Sequence, residues 1–163
     1  MLIGILSDIH DNTDHLHRAI RLMEQENCTR LLCLGDMADV STLRLLRSLW
    51  EGEMDLVAGN NDYPRSAFRD AAAAMPATHY HGDTADLTLA GRRIFLAHEP
   101  ERTLHAADLG CFDAIFFGHT HQAGQMRDGR TLIANPGEIQ GRYGEPSFAV
   151  YDTDTHTLRH IRL

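Results

Sequence analysis

Apolar residues along the chain come in short runs that stop abruptly at polar ones. Leu2 to Leu6 is apolar without alternation and stops at Ser7-Asp8, the pattern of a strand covered on both faces. A helix is expected next. Asn12 or Thr13 can cap it, Asp14 suits its positive first turn, and Leu16, Ala19, Ile20 and Met23 recur at helical spacing. Arg30 to Leu34 repeats the buried-strand pattern and ends at Gly35-Asp36, before a capped helix over Ser41 to Leu49 with Leu45, Leu46 and Leu49 inward. Leu56 to Ala58 is a short third strand ending at Gly59-Asn60-Asn61-Asp62, and Pro64 to Met75 is helical until Pro76 stops it.

The second half changes character. Asp86 to Leu89 and Arg92 to Ala97 flank Ala90-Gly91 as a hairpin, Glu101 to Leu109 reads as a helix, and Ala114 to Phe117 as a strand. Strands alone follow: Gln125 to Arg127, Thr131 to Ala134, Ser147 to Tyr151 and Thr157 to Leu163. The pattern predicts a mixed α/β (α+β) fold with two stacked sheets and helices outside, parallel-leaning in the first half and antiparallel in the second. With 163 residues and neither repeat nor linker, residues 1–163 are expected to form a single domain.

Composition narrows the function. A formal charge of −8 argues against broad capture of nucleic acid, which needs a basic stripe, and leaves only a short oligonucleotide open. All 15 basic residues are arginine, so lysine-based chemistry, including Schiff bases and the P-loop, is excluded. Cys28, Cys33 and Cys111 have neither disulfide parity nor C-x-x-C spacing and read as reduced structural thiols. No apolar run approaches the ~20 residues that span a bilayer, and no polybasic membrane patch is present. The opening Met1-Leu-Ile-Gly-Ile-Leu has no basic leader, so a cytoplasmic location is the expectation. Trp50 at a helix end is a candidate either for the core or for an apolar patch that builds an oligomer.

The chemistry-bearing residues gather where apolar strands stop, which is where open α/β sheets place ligands. Strand ends deliver Asp8-Ile9-His10, Gly35-Asp36-Met37-Ala38-Asp39, Gly59-Asn60-Asn61-Asp62, His98 and Gly118-His119-Thr120-His121. Carboxylates brought together there would repel and lose solvation, a cost that cations remove. Oxygen and imidazole donors without thiolate suit Mn²⁺, Fe or Zn²⁺, and this set is too large for one such ion. Two metals are expected.

In that order, D-x-H, G-D-x-x-D, G-N-x-D, H and G-H-x-H, the chain resembles the calcineurin-like metallophosphoesterases. It is most similar to the small single-domain bacterial and archaeal phosphodiesterases, a branch related also to the small retromer subunit. The resemblance runs from Met1 to about Asp152 and includes Asn135-Pro136-Gly137. It implies a four-layer αββα sandwich. It also implies that Asp8, His10, Asp36 and His121 bind one divalent ion and Asp36, Asn60, His98 and His119 the other, with Asp36 bridging. Mn²⁺ is the first expectation, with Fe, Zn²⁺ and Ni²⁺ also compatible. A bridging water, its pKa lowered from ~15.7 toward ~7, would then attack phosphorus in line, with Asp36, Asn60 and His119 central to catalysis on a small phosphoester, a diester before others. The rival expectations are a non-catalytic protein-interaction adaptor on the same fold, a nuclease and a phosphomonoesterase.

Departures from the family pattern mark where the resemblance thins. Asn61 stands where many members have a His able to protonate the leaving group, and an amide is no acid. Pro100 replaces the second His of the usual H-G-H, and Glu138 replaces Ser after Asn-Pro-Gly; both read as changes to the rim. Asp39 and Asp62 either orient a ligand His or cap a helix. Arg142 either clamps a phosphate or is solvated. His79 and His81 share a strand face without a companion carboxylate motif and read as surface, as do His15, His17, His105, His156 and His160.

Overall fold

The computed structural model describes residues 1–163. In chain order its elements are β1 (Leu2–Leu6), α1 (Thr13–Gln25), β2 (Arg30–Cys33), α2 (Val40–Leu49), β3 (Glu53–Leu56), α3 (Arg65–Ala73), β4 (Thr78–Tyr80), β5 (Thr84–Leu89), β6 (Arg92–Ala97), α4 (Pro100–Asp108), β7 (Ala114–Phe116), β8 (Gly124–Asp128), β9 (Thr131–Asn135), β10 (Ser147–Asp152) and β11 (Thr157–Arg162). Two mixed sheets result, ordered β11-β10-β1-β2-β3-β4 and β5-β6-β7-β9-β8.

Strand alternation explains the layers. In β1 and β2, Leu6, Leu31 and Cys33 join a core with Leu16, Met23, Leu43, Leu46 and Phe68 of α1, α2 and α3. Ile3, Ile5 and Leu32 on the opposite face meet Ile94, Leu96, Phe116 and Leu132 of the second sheet. Both faces are therefore dry, which is why these strands read as unbroken apolar runs. Ala106 of α4 packs with Phe112 and Ile115 beyond the second sheet. The order is helices, sheet, sheet, helix, the αββα sandwich.

The second half departs from the antiparallel expectation. β6, β7 and β9 run parallel at the centre of their sheet, and only β5 and β8 at its edges are antiparallel. The reason is topological: α4 is a crossover that brings β7 alongside β6, and exposed β8 is a hairpin excursion that returns the chain beside β7 as β9. β10 and β11 then cross to the first sheet, where β10 lies antiparallel to β1. Trp50 is buried in the helix-side core, its indole N–H donating to the Glu53 carbonyl.

β4 was not foreseen, and it alters the reading of two histidines. Its parallel pairing with β3 sets His79 Nε2 2.7 Å from Glu53 Oε2 and His81 Nε2 2.8 Å from Asp55 Oδ1. Both histidines are exposed as expected, but carboxylates do adjoin the pair. Asp55 is buried and also accepts from Arg30 Nε at 2.7 Å and Nη2 at 2.6 Å. Burial alone would raise its carboxyl, but the hydrogen bonds from His81 and Arg30 outweigh burial and hold it below the usual range.

Because its folded pKa lies below the unfolded value, Asp55 stabilises the fold above the ordinary carboxylate range, and that contribution is lost as pH falls through the folded value. Asp55→Ala should cost about 3 kcal/mol at neutral pH by stranding Arg30, and the difference from the parent should shrink in acid. Urea unfolding of both proteins across that range measures it.

Candidate metal centre

The carboxyl ends of β1, β2, β3, β6 and β7 meet along one edge of the sandwich, and loop backbones lock them together. Asp8 N–H donates to the Gly35 carbonyl, and Ile9 and His10 N–H both donate to the Asp36 carbonyl. Gly118 N–H donates to the His98 carbonyl, tying the ends of β6 and β7, and His119 N–H donates to Asp8 Oδ2 at 3.1 Å, which joins the two sheets at this edge. The motif glycines permit that closeness: a Cβ on Gly59 would sit 2.1 Å from Asp36 Oδ1, and one on Gly118 2.0 Å from Ser7 Oγ. Asp8, His10, Asp36, His119 and His121 all hold left-handed backbone, with φ between 44 and 66°. Such a conformation costs free energy at a non-glycine residue, and its concentration at one crevice points to function.

All seven strand-end candidates converge. His10 Nε2 lies 3.5 Å from Asp36 Oδ2 and 3.8 Å from Asp8 Oδ1. His121 Nε2 lies 3.5 Å from Asp8 Oδ1, and His98 Nε2 lies 3.4 Å from Asp36 Oδ2. Asn60 Oδ1 is 3.0 Å from His98 Nε2 and 2.8 Å from His119 Nδ1. The His10 and His121 rings stack, with centroids 5.3 Å apart.

Asp8 and Asp36 are both buried here. Burial would raise the Asp36 carboxyl, but His98 and the Asn61 amide outweigh it and hold it well below the carboxylate range. Burial would likewise lower His98, and Asp36 reverses that, leaving it raised. Asp8 Oδ1 and His10 Nε2 are buried without any hydrogen-bond partner. Unpaired donors of this kind, within 4.8 Å of one another in the groups Asp8-His10-His121 and Asp8-Asp36-His98, fit divalent cations bound by nitrogen and oxygen.

Comparison with known proteins agrees with the fold and the family resemblance. The model of the calcineurin-like phosphoesterase superfamily domain matches residues 1–156. The chain belongs to the calcineurin-like phosphoesterase superfamily. It is 26% identical to a phosphodiesterase of Methanocaldococcus jannaschii over 100% of this chain and 99% of that protein. The solved structure of an archaeal phosphodiesterase superposes with a TM-score of 0.93 at 25% identity, covering all of both chains. Vps29 of Chaetomium thermophilum shares the fold, with a TM-score of 0.70 at 20% identity, covering 99% of this chain and 95% of that one.

Within this calcineurin-like domain the other candidate residues separate. Asp39 is exposed and caps α2 through Ser41 N–H at 2.7 Å, so the capping alternative describes it. Asp62 is fully buried, and its hydrogen bonds come from backbone and not from a candidate ligand side chain. Its carboxylate accepts from Gly59 N–H at 2.8 Å and from Asp36 and Ala38 N–H at 3.0 Å, fastening the β2 and β3 loops to each other. Asn61 donates from its backbone to Asp36 Oδ1 at 2.8 Å and from its side chain to Asp36 Oδ2 at 2.7 Å. Arg142 is exposed, its guanidinium 5.3 Å over the Tyr143 ring.

Glu138 corrects the reading of the rim. It is fully buried, and His121 Nδ1 donates to its Oε2 at 2.8 Å. Nothing in the local pattern beyond a carboxylate after Asn-Pro-Gly could have signalled this. Asn135 also contributes, without a local sequence signal for it: its amide donates to the Gly118 carbonyl at 2.8 Å and the Thr120 hydroxyl at 3.0 Å, steadying the loop that carries both histidines.

Asp62→Asn should destabilise by about 3 kcal/mol, since an amide cannot accept from all three buried N–H groups. Asp39→Asn should change stability by less than about 0.5 kcal/mol, because Asn caps a helix as well as Asp does. Denaturant midpoints of the two variants test the contrast.

Proposed function

We propose that this chain is a single-domain, dinuclear, divalent-metal-dependent phosphodiesterase. The observation that carries the reading is one carboxylate oxygen, Asp36 Oδ2, lying between two imidazoles, 3.5 Å from His10 and 3.4 Å from His98. An atom so placed suits a bridge between two cations. Asp8, His10, Asp36 and His121 are assigned to one ion, and Asp36, Asn60, His98 and His119 to the other. Nitrogen and oxygen donors suit Mn²⁺, with Fe, Zn²⁺ and Ni²⁺ compatible.

When bound, the ions supply Lewis acidity toward phosphoryl oxygens and an activated water near neutral pH. The protein supplies the geometry. The Leu34 carbonyl accepts from His98 Nδ1 at 2.8 Å, so Nε2 is the nitrogen left to face Asp36 and Asn60. Asn60 contributes oxygen without charge, which keeps the centre electron-poor. Asn61 steadies Asp36 and is not an acid, so none of the motif residues is committed to protonating the departing oxygen. A small diester with a good leaving group is the substrate class this arrangement favours, and the phosphodiesterase among its relatives supports a diester. Arg142 and Tyr143 are exposed beside His121, where the Arg142 guanidinium can meet a phosphate.

Asp36→Ala should lose ion binding and lower turnover of bis(p-nitrophenyl) phosphate by orders of magnitude; metal stoichiometry and initial rates read both. A parent protein that takes up no metal and hydrolyses no aryl diester after Mn²⁺ loading would sink the proposal. A series of diesters should slow steeply as the leaving-group pKa rises. A flat series would mean that another side chain at the rim already donates a proton to the leaving oxygen.

A further inference from the structure

Glu138 has both carboxylate oxygens engaged in two different directions. Oε2 accepts from His121 Nδ1 at 2.8 Å, while Oε1 accepts from Tyr143 N–H at 2.6 Å and Gly144 N–H at 2.7 Å. Glu138 is fully buried, so these partners take the place of water around its carboxylate. A buried charge of this kind is costly unless every lone pair is used, so both sets of partners are tied to one rigid group.

We propose that Glu138 is a positioning residue that presents His121 Nε2 to the metal centre and, through its other oxygen, anchors the loop carrying Arg142 and Tyr143 beside that ligand. A neutral imidazole carries one proton, and the nitrogen that donates to a carboxylate must be the one that holds it. Nδ1 is thereby protonated and the Nε2 lone pair faces Asp8 Oδ1 at 3.5 Å. The Tyr143 ring stands edge-on to His121 with centroids 5.0 Å apart, so the anchored loop also limits the tilt of the imidazole. The inference rests on the metal-dependent reading of the site.

Glu138→Gln separates orientation from bulk. The glutamine oxygen keeps the Tyr143 and Gly144 amides, but its NH₂ faces His121 Nδ1 and can only donate. Nδ1 must then expose its lone pair, and the proton moves to Nε2. Long-range nitrogen–proton NMR of the metal-free protein, at a pH where the ring is neutral, should find the His121 proton on Nδ1 in the parent and on Nε2 in Glu138→Gln. Mn²⁺ titration should show affinity at the His121 ion reduced ~10–100-fold, the range for lost partners of metal ligands. Amide exchange at Tyr143 and Gly144 should stay slow in Glu138→Gln and accelerate in Glu138→Ala. A parent His121 protonated on Nε2, parental Mn²⁺ affinity in Glu138→Gln, or unchanged exchange in Glu138→Ala would overturn the inference. A parent that binds no Mn²⁺ would instead overturn the metal-dependent reading, while the tautomer in the metal-free protein still decides what Glu138 does to His121.

Discussion

Two buried carboxylates, Asp8 and Asp36, face the same small space between the sheet edges, and the rest of the crevice is arranged around that unfavourable proximity. Strand ends from both sheets must come close enough for their side chains to share a centre. That demands glycine where loop backbones touch, at Gly59 against Asp36 and Gly118 against Ser7. It also demands left-handed backbone at Asp8, His10, Asp36, His119 and His121. Those conformations persist because two dry cores, one on each face of the first sheet, hold the strands that deliver them. Preorganised donors need no rearrangement when a ligand arrives, which is the physical advantage of placing them on strand ends.

Asp55 shows what the protein does with a buried carboxylate that has nothing to bind. Arg30 and His81 close on it within 2.8 Å, and its charge is satisfied inside the chain. Asp8 Oδ1, equally buried, has no hydrogen-bond partner at all. The same residue type in the same sheet is thus internally neutralised at one place and left open at another. Unpaired polar atoms surrounded by imidazoles, more than acidity as such, distinguish the crevice from an ordinary ion pair.

Polar contacts behind the crevice set its orientation. Leu34 accepts from His98 and Glu138 accepts from His121, so each ring turns a defined nitrogen inward. Asp62 and Asn135 act one step further out, on loop backbone and the Thr120 hydroxyl rather than on rings, fixing the loops that carry Asp36, Asn60, His119 and His121. These groups lie on three separate segments, after β2, after β3 and from the end of β9 onward. Geometry at the centre therefore depends on the assembled sandwich and not on any one loop.

The apolar runs, the residues that stop them and the order of those stops already determined that this is a layered α/β protein with a polar crevice at its strand ends, together with its superfamily. Burial on both faces imposes continuous hydrophobicity, and close loop contact imposes glycine, so both leave marks on local sequence. The parallel centre of the second sheet, the three-residue β4 and the companions of His79 and His81 left no such mark, because pairing between distant strands is chosen by crossovers and packing. Glu138 was misplaced at the rim for the same reason: a carboxylate in a turn looks solvated until His121, from a loop seventeen residues earlier, is seen to fill one side of it and the Tyr143–Gly144 backbone the other. Asn61 likewise reads as an absent acid in one dimension and as a hydrogen-bond donor to Asp36 in three. Residue type determined which groups are able to hold a cation. Only the tertiary structure decided which of them are left unpaired to do so, because pairing is a matter of distance and not of order along the chain.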